Sequence, residues 1–349
     1  MKMKKNKTDK KKMPLGKKLC VIGASVIAAF LVICLIISNL LFSFALDRNS
    51  KFNVEKMIVK MVIPQGGSGG ASSTADSIEY SGFGGGAEIK EWFADVSTDE
   101  YITSDDGLKL HAYYIPNKNE YKNANGNFII LCHGYTSKAA DMARYADKFY
   151  RMGYGILAPD ARAHGESEGN IRGMGWLERR DIVKWADYLV NKAGSSIKIA
   201  FFGVSMGGAT VMMTSGEDDL PKNVTVVVED CGYSSVWDEF SINMNNMFHL
   251  PTFPLLNIAS AVCSVRAGYG LKEASAAAQL KKSTLPILFI HGSADNFVPF
   301  EMIDICFEAS ASPVKEKLVI EGANHAASST KDPDTYWAKV EEFVNTNIQ

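Results

Sequence analysis

The chain has 349 residues, 46% of them hydrophobic and 22% charged, with a formal net charge of −2. That balance supplies ample apolar side chains to bury and excludes a wholly disordered chain, while six cysteines are too few for a disulfide-stapled miniprotein of this length. No fixed repeat period is present, which argues against a solenoid or propeller.

The small net charge hides an asymmetry. Residues 1–18 carry nine lysines and one aspartate, leaving 28 basic and 38 acidic residues for the rest. A basic tail can bind nucleic acid, but the next segment points elsewhere, and no nucleic-acid partner is expected. Residues 19–46 contain no charge. As a helix rising about 1.5 Å per residue the run is about 42 Å long, and a hydrocarbon core needs only about 20 residues. A transmembrane helix is expected over 19–46. Nine lysines precede it and four basic residues (Arg48, Lys51, Lys56, Lys60) follow closely. The positive-inside rule then makes 1–18 a cytoplasmic tail and places the rest of this single-pass chain outside the cytoplasm. The competing reading is a cleaved signal peptide ending at Ser43-Phe44-Ala45. Signal h-regions, however, run to only about 7–15 residues. Ile33, before Cys34, is too bulky for a lipoprotein processing site.

Residues 51–63 mix apolar and basic side chains, as a short helix beside a membrane does. Pro64-Gln65-Gly66-Gly67-Ser68-Gly69-Gly70, with more glycine up to Gly86, reads as a linker. Residues 47–87 are therefore juxtamembrane segment and linker, and residues 88–349 one globular domain. It opens with a hairpin: Tyr101-Ile102-Thr103 and residues 108–114 flank the turn signal Asp105-Asp106-Gly107. Alternation follows. Residues 128–132 form a continuous apolar run, as in a strand buried on both faces. Met142, Tyr145, Ala146 and Phe149 recur at helical spacing. Strands over 154–158, 197–202, 224–228, 286–290 and 317–320 come next. Between them lie helices marked by Ile182, Trp185, Ala186 and Leu189, by small residues after Met206, and by residues 301–309. The last helix takes Asp332 as N-cap and Pro333 as first residue. This order predicts an α/β fold, a mostly parallel sheet with helices on both faces and the leading hairpin at one edge. Residues 234–282 break the alternation with Met244, Met247, Phe248, Phe253, Leu255 and Leu256. A helical cap over the strand ends is expected there.

Gly203-Val204-Ser205-Met206-Gly207 matches G-x-S-x-G, a weak signal alone. Its setting is specific. It follows the apolar run 199–202 directly and precedes a helix, as a nucleophile elbow requires. Serine attacks only when a base takes its proton, and the base needs a carboxylate to orient it. With such an elbow the chain order is serine, acid, histidine. Three histidines follow Ser205. His249 lies in the cap, His291 precedes the best acid, and His325, after the last strand, is the expected base. Asp295, in the loop after a buried strand, is the expected acid. Asp230, at the end of the preceding strand, is its rival. The oxyanion donors expected are the backbone N–H groups of Met206 and Tyr135. His133 and the segment from Asp160 to Ser167 read as loop-bracing groups, so no metal is expected. The cysteines show no metal-ligand spacing, and a disulfide among Cys132, Cys231, Cys263 and Cys306 is left open.

Together these segments resemble the α/β-hydrolase superfamily over about residues 88–349. The match comprises H-G-Y at His133, D-x-R-x-H-G-x-S at Asp160, G-V-S-M-G-G at Gly203, H-G-x-x-D-x-x-V-P at His291, and a late histidine. It is most similar to bacterial membrane-anchored hydrolases of the serine aminopeptidase and prolyl oligopeptidase-like branches. The resemblance implies an α/β-hydrolase fold and a serine hydrolase that works without a cofactor. Ala163 departs from the glycine common in R-G-H-G, and no propeller accompanies the domain, so oligopeptidase specificity is not implied. The leading expectation is an esterase or acyl hydrolase on small or acylated substrates, in keeping with the Met- and Phe-rich cap. An aminopeptidase or amidase on a peptidic substrate is the alternative. From a different class, the chain would be a non-catalytic membrane binding protein on the same scaffold. Oligomeric state leaves no mark in the sequence.

Overall fold

The computed structural model describes residues 14–51, 86–117 and 126–349. The basic tail up to residue 13 and the juxtamembrane helix and linker over 52–85 lie outside the described residues. Helix α1 (Leu15–Leu46) has 32 residues and starts four residues before the uncharged run, taking in Lys17 and Lys18. Its side chains are exposed from Leu15 to Ile33. Beyond that, Cys34, Ser38, Phe42 and Leu46 form a buried stripe. Their i, i+4 spacing puts them on one helix face.

After α2 (Ala87–Val96) comes one eight-stranded sheet. Its strands are β1 (Thr98–Thr103), β2 (Lys109–Ile115), β3 (Phe128–Cys132), β4 (Gly155–Pro159), β5 (Ile199–Val204), β6 (Val224–Asp230), β7 (Ile287–Gly292) and β8 (Lys315–Ile320). The order is β1-β2-β4-β3-β5-β6-β7-β8. The first hairpin is antiparallel and β2 joins β4 antiparallel; all other pairs are parallel. The helices are α3 (Ala143–Arg151), α4 (Glu178–Ala193), α5 (Met206–Thr214), α6 (Val236–Phe248), α7 (Thr252–Ala267), α8 (Ala276–Leu280), α9 (Glu301–Ala309), α10 (Ser328–Lys331) and α11 (Pro333–Asn347). Helices α2, α3 and α11 cover one face, where Phe149 touches both Phe202 and Trp337. Helices α4, α5, α9 and the cap cover the other. This sandwiching explains the unbroken apolar runs. Along β5, Ile199 and Phe201 enter one core, and Ala200, Phe202 and Val204 the other. The cap resolves into α6, α7 and the short α8, and α1 packs along α7.

Charged groups brace the loops. Arg162 grips Asp181 on α4 through two bonds of 2.7 Å and reaches Asp106 in the hairpin turn at 2.9 and 3.1 Å. The Asp160 carboxylate accepts from the N–H groups of Ala139 and Glu166 at 2.8 and 3.0 Å and meets His111 Nδ1 at 2.8 Å. Buried charges of this kind persist because they are paired and hydrogen-bonded. Just past α1, Arg48 donates to the carbonyls of Ser167 and Gly165 at 2.6 and 2.7 Å. The Arg48 N–H donates to the Asn170 carbonyl and the Arg172 N–H to the Leu46 carbonyl. All six cysteines are free, so the disulfide left open by spacing is not formed.

Candidate active site

The carboxyl ends of the parallel strands build the site, the usual place for one in an open α/β sheet. Ser205 stands between β5 and α5 with φ of 57° and ψ of −118°. Non-glycine residues seldom adopt positive φ, and such strain clusters at functional sites. The turn is possible because its neighbours lack side chains. A Cβ on Gly203 would collide with the Gly207 carbonyl, and one on Gly207 with the Cys132 carbonyl.

The structure brings Ser205, His325 and Asp295 together. His325 Nε2 is 2.9 Å from Ser205 Oγ, and its Nδ1 is 2.8 Å from Asp295 Oδ2. With Nδ1 donating to the carboxylate, Nε2 is left to accept from the serine hydroxyl. The other oxygen of Asp295 accepts from the N–H groups of Phe297 and Val298 at 2.9 and 3.0 Å. Burial by itself would raise the Asp295 carboxyl. The charge of His325 and hydrogen bonds from His291 and His325 outweigh it and hold the group well below the usual carboxylate range. Asp230 is elsewhere engaged. Its Oδ2 accepts from the Tyr336 hydroxyl at 2.8 Å, and burial pushes its pKa up to about 6.

The loop after β3 lies against the serine: a Cβ on Gly134 would sit 3.5 Å from Ser205 Cβ. His133 holds this loop, with Nδ1–H donating to the Gly134 carbonyl at 2.8 Å and Nε2 accepting from Ala161 N–H at 3.0 Å. Met206 follows the serine at the N-terminus of α5, and Tyr135 and Met206 both line the pocket at Ser205. That pocket contains about 890 Å³ of space free of atoms, part of it open to solvent.

Two features of its wall carry no local sequence signal. One is α1 itself, which contributes Leu41, Phe42, Phe44, Ala45 and Leu46. The Tyr135 hydroxyl fixes it by donating to the Ala45 carbonyl at 2.6 Å. The other is Glu239 on α6, the single carboxyl in the lining. Burial raises its pKa well above the ordinary value, and its Oε1 accepts from Asn243 Nδ2 at 2.7 Å. Both positions depend on how the cap folds over the sheet.

Cys231, Asp295 and His325 offer ligand atoms within 4.8 Å of one another, the one such trio found among the described residues. It is poorly suited to a metal. Both ring nitrogens of His325 and Oδ2 of Asp295 are already engaged, and burial raises the Cys231 thiol well above its usual value.

Comparison with known proteins agrees with this layout. The family model described as serine aminopeptidase, S33 matches residues 124–228. The uncharacterized protein YqkD of Bacillus subtilis is 31% identical over 219 residues, 63% of this chain and 71% of its own. YfhR of Escherichia coli K12 is 22% identical over 246 residues, 70% of this chain and 78% of its own. Among solved structures, the Pyrococcus furiosus esterase Pf2001 superposes with a TM-score of 0.58 at 24% identity, covering 72% of this chain and 93% of that one. Est1E of Butyrivibrio proteoclasticus gives 0.53 at 18% identity, covering 71% and 98%. This chain belongs to the α/β-hydrolase superfamily. The stretch of the hydrolase matched by the family model runs from β3 through most of β6 and contains Ser205.

Proposed function

We propose that this hydrolase is a membrane-anchored, extracytoplasmic serine esterase acting through an acyl-enzyme. The carrying observation is the continuous hydrogen-bond chain Asp295–His325–Ser205 opening on an apolar pocket. In this reading Ser205 Oγ attacks the ester carbonyl as its proton passes to His325 Nε2. Asp295, fixed by two backbone N–H groups, keeps the imidazole in the productive tautomer and stabilises its cationic form. The backbone N–H groups of Met206 and Tyr135 receive the oxyanion. His325 then returns the proton to the leaving alcohol. Water, activated by the same histidine, releases the acid. Residues 19–46 act as a signal-anchor, with residues 1–18 in the cytoplasm and the domain from residue 88 outside.

An aminopeptidase is the second reading, favoured by the description of the matching family model. Such an enzyme needs a fixed negative charge for the substrate ammonium. Burial raises the pKa of the one carboxyl in the pocket lining, Glu239, well above the ordinary range and so works against its charged form. The ester reading is therefore preferred. Ser205→Ala should lower turnover of a chromogenic ester by roughly 10³-fold or more and abolish labelling by an active-serine phosphonate, with circular dichroism unchanged. Wild-type-like activity in the purified variant would refute the assignment.

A further inference from the structure

We propose that α1 is one wall of the acyl-binding site, that the start of α7 meets the near leaflet of the membrane α1 crosses, and that the substrate is a long-chain acyl ester of that bilayer. This rests on the serine-esterase reading above.

The first observation is the pocket. It begins at Ser205 and Met206 and reaches Met247 and Phe248 at the end of α6, with Leu41 and Phe44 of α1 beside them. Phe44 and Phe248 meet edge to face with centroids 5.3 Å apart. An acyl chain bound at Ser205 therefore runs against a helix that continues into the membrane.

The second observation is depth. A hydrocarbon core takes about 20 helical residues, so a span counted from Leu19 ends near Ser38. Fifteen residues of this stretch, 19–33, are exposed along the helix. From Cys34 onward one face of the helix is packed against the cap, where Ser38 O–H donates to the Leu255 carbonyl at 2.9 Å. The start of α7 thus lies at the hydrocarbon boundary. The two helices run in the same direction. Leu255 meets Ser38, whereas Arg266 stacks on the Phe42 ring and lies 3.9 Å from Asp47. Arg266 therefore lies on the aqueous side and Phe253, at the start of α7, lies at the hydrocarbon boundary.

The third observation is exposure. Outside α1, the most exposed large apolar side chains among the described residues are Phe253 at 77% and Val265 at 88%, both on α7. Val265 neighbours Arg266 on the outer side, whereas Phe253 stands near the level of Ser38, where the bilayer that receives α1 is the adjoining apolar phase.

In the reaction, Ser205 Oγ bonds to the acyl carbon and the ester C–O bond breaks. The lipid alcohol leaves with the proton from His325, and water releases the fatty acid, so no further reactant is required.

The test uses the full chain in vesicles of palmitoyl-oleoyl phosphatidylglycerol and phosphatidylethanolamine, with p-nitrophenyl acetate as the soluble comparison. Fatty acid should be released from the vesicles. Leu41→Trp, which puts bulk into the wall, should lower the ratio of palmitoyl-ester to acetyl-ester turnover at least tenfold. Ala45→Phe is the second variant should Leu41→Trp misfold. Phe253→Asp, at an exposed position, should lower the ratio of vesicle-lipid to soluble-ester turnover at least tenfold. An unchanged chain-length ratio in a folded wall variant overturns the wall. An unchanged vesicle ratio, or a detergent-solubilised dimer that Phe253→Asp splits into monomers, overturns the leaflet contact. Acetate-ester turnover without lipid hydrolysis overturns the substrate class alone. No turnover of either, with Ser205 unlabelled by phosphonate, overturns the esterase reading and this proposal with it.

Discussion

Asp230 and Asp295 are both buried near the same loop, yet their partners differ. The His325 ring meets Asp295, whereas the Tyr336 hydroxyl donates to Asp230. Asp295→Asn should therefore lower ester turnover by about 10⁴-fold, the size of the related change in a serine protease. Asp230→Asn keeps an acceptor for Tyr336 and should cost less than tenfold. Assay of both at neutral pH on one ester decides the matter, and the reverse ranking would move the acid to the preceding strand. A third carboxyl near the site titrates differently. Glu229 is fully buried, accepts only from the Gly232 N–H at 2.8 Å, and burial pushes its pKa up to about 8. The unfolded value is about 4.3. A raised folded-state pKa means stability that is fully present below pH of about 4 and is lost as pH rises through about 8. Melting curves should show Glu229→Gln gaining on the wild type between pH 5 and 8.5. A gap that does not change with pH would show that Glu229 ionises normally. The residues in hydrogen-bond contact at the site were legible because each carries a local signature: G-x-S-x-G, an acid after an apolar run, a histidine after the last strand. Glu239 was not, because only the folded cap brings it to the pocket.

At the scale of elements, the elbow joins β5 to α5 by close backbone approach. Gly207→Ala would drive a methyl group into the Cys132 carbonyl, whereas Gly268, at φ of 81°, has open space around its Cβ position. Gly207→Ala should destabilise by about 3 kcal/mol or more, as backbone collisions in a core do. Gly268→Ala should cost about 1–2 kcal/mol from the left-handed conformation alone. Urea unfolding of the two variants measures the difference, and equal costs would show that the elbow can relax. The strands were readable because a sheet covered on both faces demands unbroken apolar runs. The short α10 was not anticipated, having too few turns to display a period, and α2 was missed although Ile89, Trp92, Phe93 and Val96 fall at helical spacing. The stripe of α1 that meets α7 was equally hidden, since a wholly apolar helix shows no face. One mark did exist: Ser38, a polar residue within the span, which proves to be a packing contact.

At the scale of the molecule, α1 and the hydrolase domain share a core, and Phe42 and Leu46 belong to the same apolar cluster as Phe201. A chain beginning at residue 50 would bare that surface. It should melt several degrees below the full chain in the same detergent, and equal melting temperatures would mean that α1 contributes only attachment. Orientation is tested separately. Protease added to intact cells should remove the domain and spare the N-terminal tail. A domain protected until lysis would reverse the topology.

The clip formed by Arg48 and the loop after β4 has a kinetic consequence. Because the chain leaving α1 is pinned at once to the domain, the hydrolase cannot swing out on a tether, and in the membrane-anchored reading proposed above it stays with one vesicle. Its turnover should follow the mole fraction of substrate in its own bilayer and ignore the total amount of lipid. In a suspension with fewer enzyme molecules than vesicles, hydrolysis should halt at a plateau equal to the fraction of vesicles that carry an enzyme. Adding empty substrate vesicles would not restart it; fusing them with the enzyme-bearing ones would.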